Sequence, residues 1–545
     1  MSSRMRQQSG LALTASVAAI ATALAAPAHA DGAGAHVGQA HFATSCSAPA
    51  QQQFDRAVAM LHSFWYPEAA KSFAAIGETD PSCAMAQWGV AMSVWYPLWY
   101  PPSEAMLKIG SAAVEKARSI GAKTDRERDY IEAIAAFYKD WGTVDHRTRA
   151  IAYEKAMAQV YQRYPDDREA GIFYALALDA TAPPTDKSYA NQRKAAEILE
   201  KAHSAEPDHP GIAHYLIHSY DSATLAEQGL PAARSYAALA PAVPHALHMP
   251  SHIFTRLGLW QESIASNDAG HEKARSYAEK SDGPGTFDGE TVHTMDYLEY
   301  AYLQGAQDGA AKRVVDELGT LRKGPSILVT AYAVAAIPAR YTLERRAWSD
   351  AASLTMPEIQ LAWERFPWAE ALNAYARALG AARTGDQAGA EREIARLRSL
   401  EDKLLANKDK YWADQVEVQR LAASGMAKRA QGDDAEAVRL VRVAADLEAG
   451  MDKHPVTPAA ILPARELLAD LLLELDRPAD ALVEYERSLT AEPKRFRSLF
   501  GAAQASERLE TPAKARGYYT QLVAQCDKAD AERPELTQAK AFLAR

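Results

Sequence analysis

The sequence lacks several signals that mark common protein classes. Alternating strand patterns are nearly absent, which predicts an all-α chain. Basic residues do not cluster: 60 Lys and Arg stand against 70 Asp and Glu, for a formal net charge of −10, so nucleic acid is not an expected partner. Gly-x-Ser-x-Gly, a Gly-rich phosphate loop and Cys-x-x-Cys are also missing, so no conventional active-site motif identifies an enzyme.

Long apolar runs are confined to the N-terminus. Arg4 and Arg6 precede an apolar run over Leu11–Ala26, and the small residues of Ala28–Ala30 follow it. This order is typical of a signal peptide over residues 1–30, because the run is shorter than the roughly 20 residues that span a bilayer. We therefore expect a periplasmic or secreted protein with no integral membrane segment after signal cleavage, and a flexible segment over 31–45. A retained N-terminal anchor is the alternative.

A 34-residue repeat is visible towards the C-terminus. Ala481 and Tyr485 recur as Ala515 and Tyr519, with 515 − 481 = 34. The small residue suits the point where two helices cross closely, and the aromatic residue four positions later packs one turn further on. Thirty-four residues is the tetratricopeptide period. The chain therefore resembles the tetratricopeptide-repeat family.

The resemblance extends over residues 46–545, with an N-terminal half over 46–320 and a C-terminal half over 321–545. It implies an all-α, right-handed superhelical solenoid of about a dozen degenerate helix pairs. It also implies that the protein binds a protein, peptide or small ligand in a concave groove, although this architecture serves many unrelated functions.

Histidines recur at the repeat period. His214 and His218 are spaced i, i+4, as are His248 and His252, so each pair lies on one helical face. The pairs are offset by 248 − 214 = 34, which places them at equivalent points of successive repeats, and His245 falls on the same face. The resemblance implies that these positions project into the groove.

Imidazoles converging in this way would suit zinc or copper. Asp221, Met249 and Glu299 are candidate additional ligands, whereas Pro250 could distort the second pair. A metal-dependent hydrolase using the same histidines is one alternative. Histidines that only hold helices together, in a metal-independent scaffold of the cell envelope, are the other.

Aromatic residues are concentrated near the N-terminus. Trp88 and Trp95 are candidates for a recognition wall at one end of the groove. The alternative is that they seal the end of the repeat array.

Two of the three cysteines could form a bridge. Cys46 precedes one helical stretch and Cys83 follows the next, and an antiparallel helix hairpin brings these positions together. An exported protein could keep a disulfide there. Two unpaired buried cysteines are the alternative, and Cys526 has no evident partner.

Overall fold

The computed structural model describes residues 35–98, 101–283 and 285–545. Val37–Arg545 form one compact unit, separate from residues 1–36. The predicted signal peptide lies outside the described residues.

The described residues form α-helices, one short 3₁₀ helix at Trp363–Arg365 and no strand, which confirms the predicted all-α class. The α-helices are α1 (Ala48–His62), α2 (Tyr66–Thr79), α3 (Ala84–Met92), α4 (Glu104–Ile120), α5 (Asp125–Tyr138), α6 (His146–Arg163), α7 (Arg168–Thr181), α8 (Ala190–His203), α9 (Pro210–Tyr220), α10 (Ala226–Leu239), α11 (Pro244–His248), α12 (Pro250–Arg256), α13 (Trp260–Asp282), α14 (Gly289–Gln304), α15 (Asp308–Leu318), α16 (Leu328–Glu344), α17 (Trp348–Ala352), α18 (Pro367–Thr384), α19 (Gln387–Ala406), α20 (Lys410–Ala430), α21 (Asp434–Ala449), α22 (Ala464–Glu474), α23 (Pro478–Ala491), α24 (Phe496–Arg508), α25 (Pro512–Gln525) and α26 (Pro534–Leu543). None of these described helices combines the length and apolar character that crossing a bilayer requires.

Consecutive helices pack as pairs, from α1 with α2 to α24 with α25. Helices α11 and α12 together form the first member of their pair, and α26 follows the last pair, so the described chain contains about a dozen pairs as predicted. Small residues allow the close crossings. Seven alanines in the second helices of their pairs, the repeated Ala481 and Ala515 among them, are fully buried: Ala69, Ala195, Ala351, Ala390, Ala437, Ala481 and Ala515.

Repeats that are distant in sequence also touch. The indole Nε1 of Trp260 donates to the carbonyl oxygen of Lys494 at 3.0 Å, and the backbone N–H of Gly309 donates to Asp530 at 2.9 Å. Helix α1 packs against α9. The array therefore closes on itself and surrounds its central helices, which an open groove would leave accessible.

The segment expected to be flexible, 31–45, is anchored by two buried side chains, Val37 and Phe42. Phe42 is fully buried, and its backbone N–H donates to Asp55 at 3.0 Å. Its ring lies 5.0 Å from that of Trp88. The expectation of flexibility is therefore wrong for this part of the segment, because burying an aromatic side chain outweighs the cost of ordering the backbone.

The aromatic residues near the N-terminus do not form an exposed wall. Trp88 and Trp95 are 1% and 2% exposed, and the ring of Trp95 packs 4.3 Å from that of Tyr153. The proposed ligand-binding role of both tryptophans is therefore wrong. Their large apolar surface is used to build the core of the first repeats.

Cys46 and Cys83 form a disulfide, with their Cα atoms 4.9 Å apart. Cys46 lies just before α1 and Cys83 caps the start of α3, so the bond closes the loop around the first helix pair. Cys526 is a buried free thiol.

Candidate metal centre

Helix α9 carries the first two histidines of the site. The helix begins at Pro210, whose ring fits the first helical position because no backbone N–H is needed there. His214 and His218 follow one turn apart on the same face, with their Nε2 atoms 3.1 Å from each other.

A proline divides the next inner helix without disturbing its histidines. Helix α12 starts at Pro250, directly after α11, and Met249 between them keeps a helical backbone. The Nε2 atoms of His248 and His252 are consequently 3.1 Å apart. The expected distortion by Pro250 is not found.

His245 completes a first triad. Its Nε2 lies 3.1 Å from Nε2 of His214, and one ring nitrogen from each of His214, His218 and His245 lies within 4.8 Å of the others. We call these three residues triad 1. The ring of Tyr236 stacks on His214 at 5.2 Å and backs the triad.

A second triad forms around His248 and His252, and its third member is His293 on α14. One ring nitrogen from each lies within 4.8 Å of the others, and the ring of His293 is 4.4 Å from that of His248. We call these residues triad 2. Gly270 on α13 allows this packing, since a Cβ there would lie 3.1 Å from Cβ of His248.

The two triads are neighbours. The ring centroids of His245 and His248 are 6.0 Å apart, as are those of His218 and His252. Six imidazoles from three successive inner helices therefore surround one small region.

In triad 2, hydrogen bonds determine which ring nitrogen of His248 and of His252 carries the proton. Nδ1 of His248 lies 2.6 Å from the amide oxygen of Asn267, whose own N–H groups are directed at Ser263. Nδ1 of His252 lies 3.0 Å from a carboxylate oxygen of Asp221. Because these oxygens can only accept, both Nδ1 atoms carry the proton. Both Nε2 atoms therefore present lone pairs.

Triad 1 is arranged in the same way. Nδ1 of His214 donates to the backbone carbonyl of His62 at 2.6 Å, and Nδ1 of His245 lies 3.0 Å from the carboxylate of Glu290. The His62 carbonyl can only accept, so Nε2 of His214 presents a lone pair, and Glu290 fixes the same tautomer of His245 when its carboxylate is ionised. Backbone carbonyls and carboxylates are the partners that orient metal-binding histidines in proteins.

Burial keeps the rings uncharged. Desolvation lowers the pKa of every histidine in the two triads, and for His245, His248 and His252 the pKa falls to about 3. Neutral imidazole is the form that binds transition metals. Two nitrogens held about 2.0–2.1 Å from one tetrahedral ion lie roughly 3.3 Å apart, close to the observed 3.1 Å.

The region facing the histidines is not an open groove. Residues 450–463, which join α21 to α22, contact this region at Lys453 and Thr457. Lys453 of this segment donates to Asp221 at 2.9 Å, and the backbone carbonyl of Thr457 accepts a 3.0 Å hydrogen bond from Tyr297. The ring of Tyr297 stacks on His252 at 4.7 Å. The histidines are therefore enclosed by protein on most sides.

The additional ligands expected from sequence have other roles. Asp221 orients His252 and pairs with Lys453 and Arg256. Glu299 is fully buried and pairs with Arg340 at 3.3 Å, so its proposed ligand role is wrong.

Met249 is likewise not assigned to the site. Its side chain is fully buried in the apolar core that contains α9 and α12.

A third polar cluster lies next to triad 1. The carboxylate of Glu169 accepts from His62 at 2.8 Å and from His209 at 3.1 Å, and His62 also contacts the hydroxyl of Tyr215 at 3.0 Å. Both carboxylate oxygens of Glu169 are occupied in this way, whereas Nδ1 of His209 has no hydrogen-bond partner. The cluster holds His62, whose carbonyl accepts from His214, and its three side chains could also hold a metal ion.

Three residues of the site, His293, Glu290 and Asn267, were not predicted from the sequence. His293 does not repeat the 34-residue offset, since 293 − 252 = 41, because the α13 helix of the preceding pair is unusually long. One signal in the sequence could have identified His293. The next inner helix, α14, carries this histidine three residues after Glu290.

The sequence matches no protein-family profile and no curated protein. Among solved structures, it is similar to a human IFIT1 dimer with m7Gppp-AAAA, at 11% identity over 81% of this chain and 90% of that chain, with a TM-score of 0.37. It is also similar to Naa15/Naa10 bound to HypK-THB, at 12% identity over 91% of both chains, with a TM-score of 0.24. Scores below 0.5 do not bear on function, so only the geometry of the histidines does.

Proposed function

We propose that this helical-repeat protein binds a pair of transition-metal ions, one in each histidine triad, and that the metal is copper. The observation that carries the proposal is the pair His248 and His252. Their Nε2 lone pairs face each other at 3.1 Å, and no proton is available between them because both Nδ1 atoms are committed as donors. Two lone pairs at this distance repel each other. A cation bound between them would replace the repulsion with coordination.

The ligand set favours copper over the alternatives. Both triads offer imidazole only, without a thiolate or a carboxylate. Imidazole suits zinc, copper, iron and nickel, but among divalent ions copper has the highest affinity for a given nitrogen site. Magnesium, calcium and manganese prefer oxygen ligands.

A hydrolase is less well supported. It would need a carboxylate free to act as general base. The two carboxylates beside the triads are committed, since Asp221 holds His252, Lys453 and Arg256, and Glu290 holds His245.

The disulfide supports the proposal that the protein is exported. Disulfides such as Cys46–Cys83 persist in oxidising compartments and are rare in the cytosol. This agrees with the signal peptide predicted over residues 1–30.

Binding of a small ligand or peptide is a second candidate function. A cavity of about 370 Å³ lies among α18, α20 and residues 450–463. The rings of Trp368 and Trp412 stack there at 4.4 Å, beside Tyr332 and Glu448. The volume falls within the range of small-molecule sites.

Copper titration tests the main proposal. Purified protein is stripped of metal, loaded with copper, desalted and analysed for bound metal per chain. We expect two copper ions in the wild type and none in the His214→Ala/His248→Ala double variant. His454→Ala is the matched control, because His454 is a partly buried histidine outside both triads that stacks on Trp412.

Helical content measured by circular dichroism must be equal in all three proteins. Wild-type protein that retains no copper, or a double variant that retains as much as wild type, would contradict the proposal. Retention of two zinc ions in preference to copper would contradict the choice of metal.

A further inference from the structure

A small cavity leads to triad 1. Its volume is about 140 Å³, and its walls include His218, Leu98, Pro183 and Tyr411. His218 is the one histidine of the two triads that is only partly buried. The cavity therefore ends at the most accessible imidazole of the centre, and it has room for a small molecule, since one water occupies about 30 Å³ of liquid.

Each triad leaves coordination positions unfilled by protein. Three imidazoles hold each ion, and three-ligand sites with an open position are the ones that react with exogenous molecules. The two triads approach each other at two pairs of rings. The ring centroids of His245 and His248 are 6.0 Å apart, and those of His218 and His252 are also 6.0 Å apart. One small ligand can therefore contact both ions at once.

We propose that the reduced copper pair binds dioxygen between the two triads and that dioxygen enters through the cavity at His218. This inference rests on the proposed function, since it requires copper in both triads. The electrons balance within the centre. Each Cu(I) gives one electron, dioxygen becomes bound peroxide, the O–O double bond becomes a single bond, and both ions become Cu(II). No proton or external reductant takes part in this binding step.

The surroundings suit an uncharged diatomic ligand. The ring of Phe64 covers triad 1, with its centroid 4.4 Å from His214 and 5.7 Å from His218. Tyr297 covers triad 2. These two ring faces admit dioxygen without a desolvation cost, and the cavity at His218 also has ionisable side chains in its walls, Asp179, Asp221, Asp452 and Lys453.

Anaerobic loading followed by exposure to dioxygen tests the inference. Protein is loaded with Cu(I), copper per chain is counted, and dioxygen uptake, absorption and electron paramagnetic resonance are recorded. We expect one dioxygen for every two copper ions, an intense near-ultraviolet charge-transfer band, and no resonance signal because the two Cu(II) spins couple.

The two proposals fail in different ways. Two copper ions per chain with no dioxygen uptake, or with the resonance of isolated Cu(II), overturns the dioxygen inference and leaves the copper proposal standing. Failure to retain copper overturns both.

The entry route has its own variant. Ala182 lines the cavity wall and is partly exposed, so Ala182→Trp fills the cavity and we expect dioxygen binding to slow roughly tenfold at unchanged copper content. Ala205→Trp, at an exposed turn after α8, is the matched control and should bind dioxygen at the wild-type rate. Equal rates in the two variants would exclude this cavity as the entry.

Discussion

Glu290 and His293 lie three residues apart on α14 and serve different triads. The carboxylate of Glu290 lies 3.0 Å from Nδ1 of His245 in triad 1, whereas the ring of His293 belongs to triad 2. One rigid helix therefore fixes the position of one triad relative to the other. This linkage explains why the two sites form a pair rather than two independent sites.

Replacement of His293 should remove one ion and leave the other. In His293→Ala, triad 2 keeps only His248 and His252, so we expect copper content to fall from two ions per chain to one. Metal analysis after desalting measures this.

Ala substitution of His454, which lies outside both triads, should leave the content at two. If His293→Ala loses both ions, the triads depend on each other for binding. If it loses neither, His293 is not a ligand.

Asp221 should control the affinity of triad 2 without binding metal itself. It orients His252, and loss of such a partner typically lowers metal affinity about 10–100-fold. In Asp221→Asn, Lys453 and Arg256 donate hydrogen bonds to the amide oxygen. The amide N–H group then faces Nδ1 of His252, where the carboxylate accepted a hydrogen bond. We expect a weaker second copper site in a competition titration, with the first site unchanged.

Lys453→Met separates the two roles of Asp221. It breaks the 2.9 Å ion pair with Asp221 but leaves the hydrogen bond to His252. The copper affinity of triad 2 in Lys453→Met should be closer to the wild-type value than that in Asp221→Asn. A weaker site in Lys453→Met than in Asp221→Asn would assign the effect to the ion pair instead.

The sequence was sufficient to predict the helix pairs, because small residues at close crossings and the 34-residue period depend on local packing. It also placed five of the six histidines. It did not locate His293, since the length of α13 breaks the period, and it did not predict closure of the array. The contact of Trp260 with Lys494 joins residues 234 positions apart, and no local pattern specifies such a contact. Glu299 was misassigned for a related reason, because its partner Arg340 lies on another helix.

Removal of the disulfide should destabilise the first repeats selectively. The bond joins cysteines 37 residues apart, and on the chain-entropy model such a loop contributes about 3–4 kcal/mol. In Cys46→Ala/Cys83→Ala we expect faster hydrogen exchange in α1 and α2, with little change in α20 to α25.

A reducing agent provides the control. It should produce the same change in the wild type and none in the double variant. Protection of α1 that is unaffected by reduction would show that packing of Phe42 and Phe54 alone holds this end of the chain.

Glu448 should make stability depend on pH. Its side chain lines the cavity beside Trp368 and Trp412. Burial, reinforced by the charge of Glu492, raises its pKa to about 8 from an ordinary value of 4.5. Between these values the unfolded chain has released the proton and the folded chain has kept it, so the contribution of Glu448 to stability is present below about pH 4.5 and is lost as the pH rises to 8. Arg465 and Arg495 oppose this shift without reversing it.

Glu448→Gln has no carboxyl proton to lose. The unfolding free energy of the variant minus that of the wild type should therefore increase from pH 5 to pH 8. We expect about 1–3 kcal/mol after allowing for the partial exposure of the side chain. Chemical denaturation at several pH values measures the difference. Glu391→Gln, on the exposed face of α19, removes the same charge and is the control. A difference that stays constant with pH, or that decreases, would mean that Glu448 is ionised in the folded protein across this range.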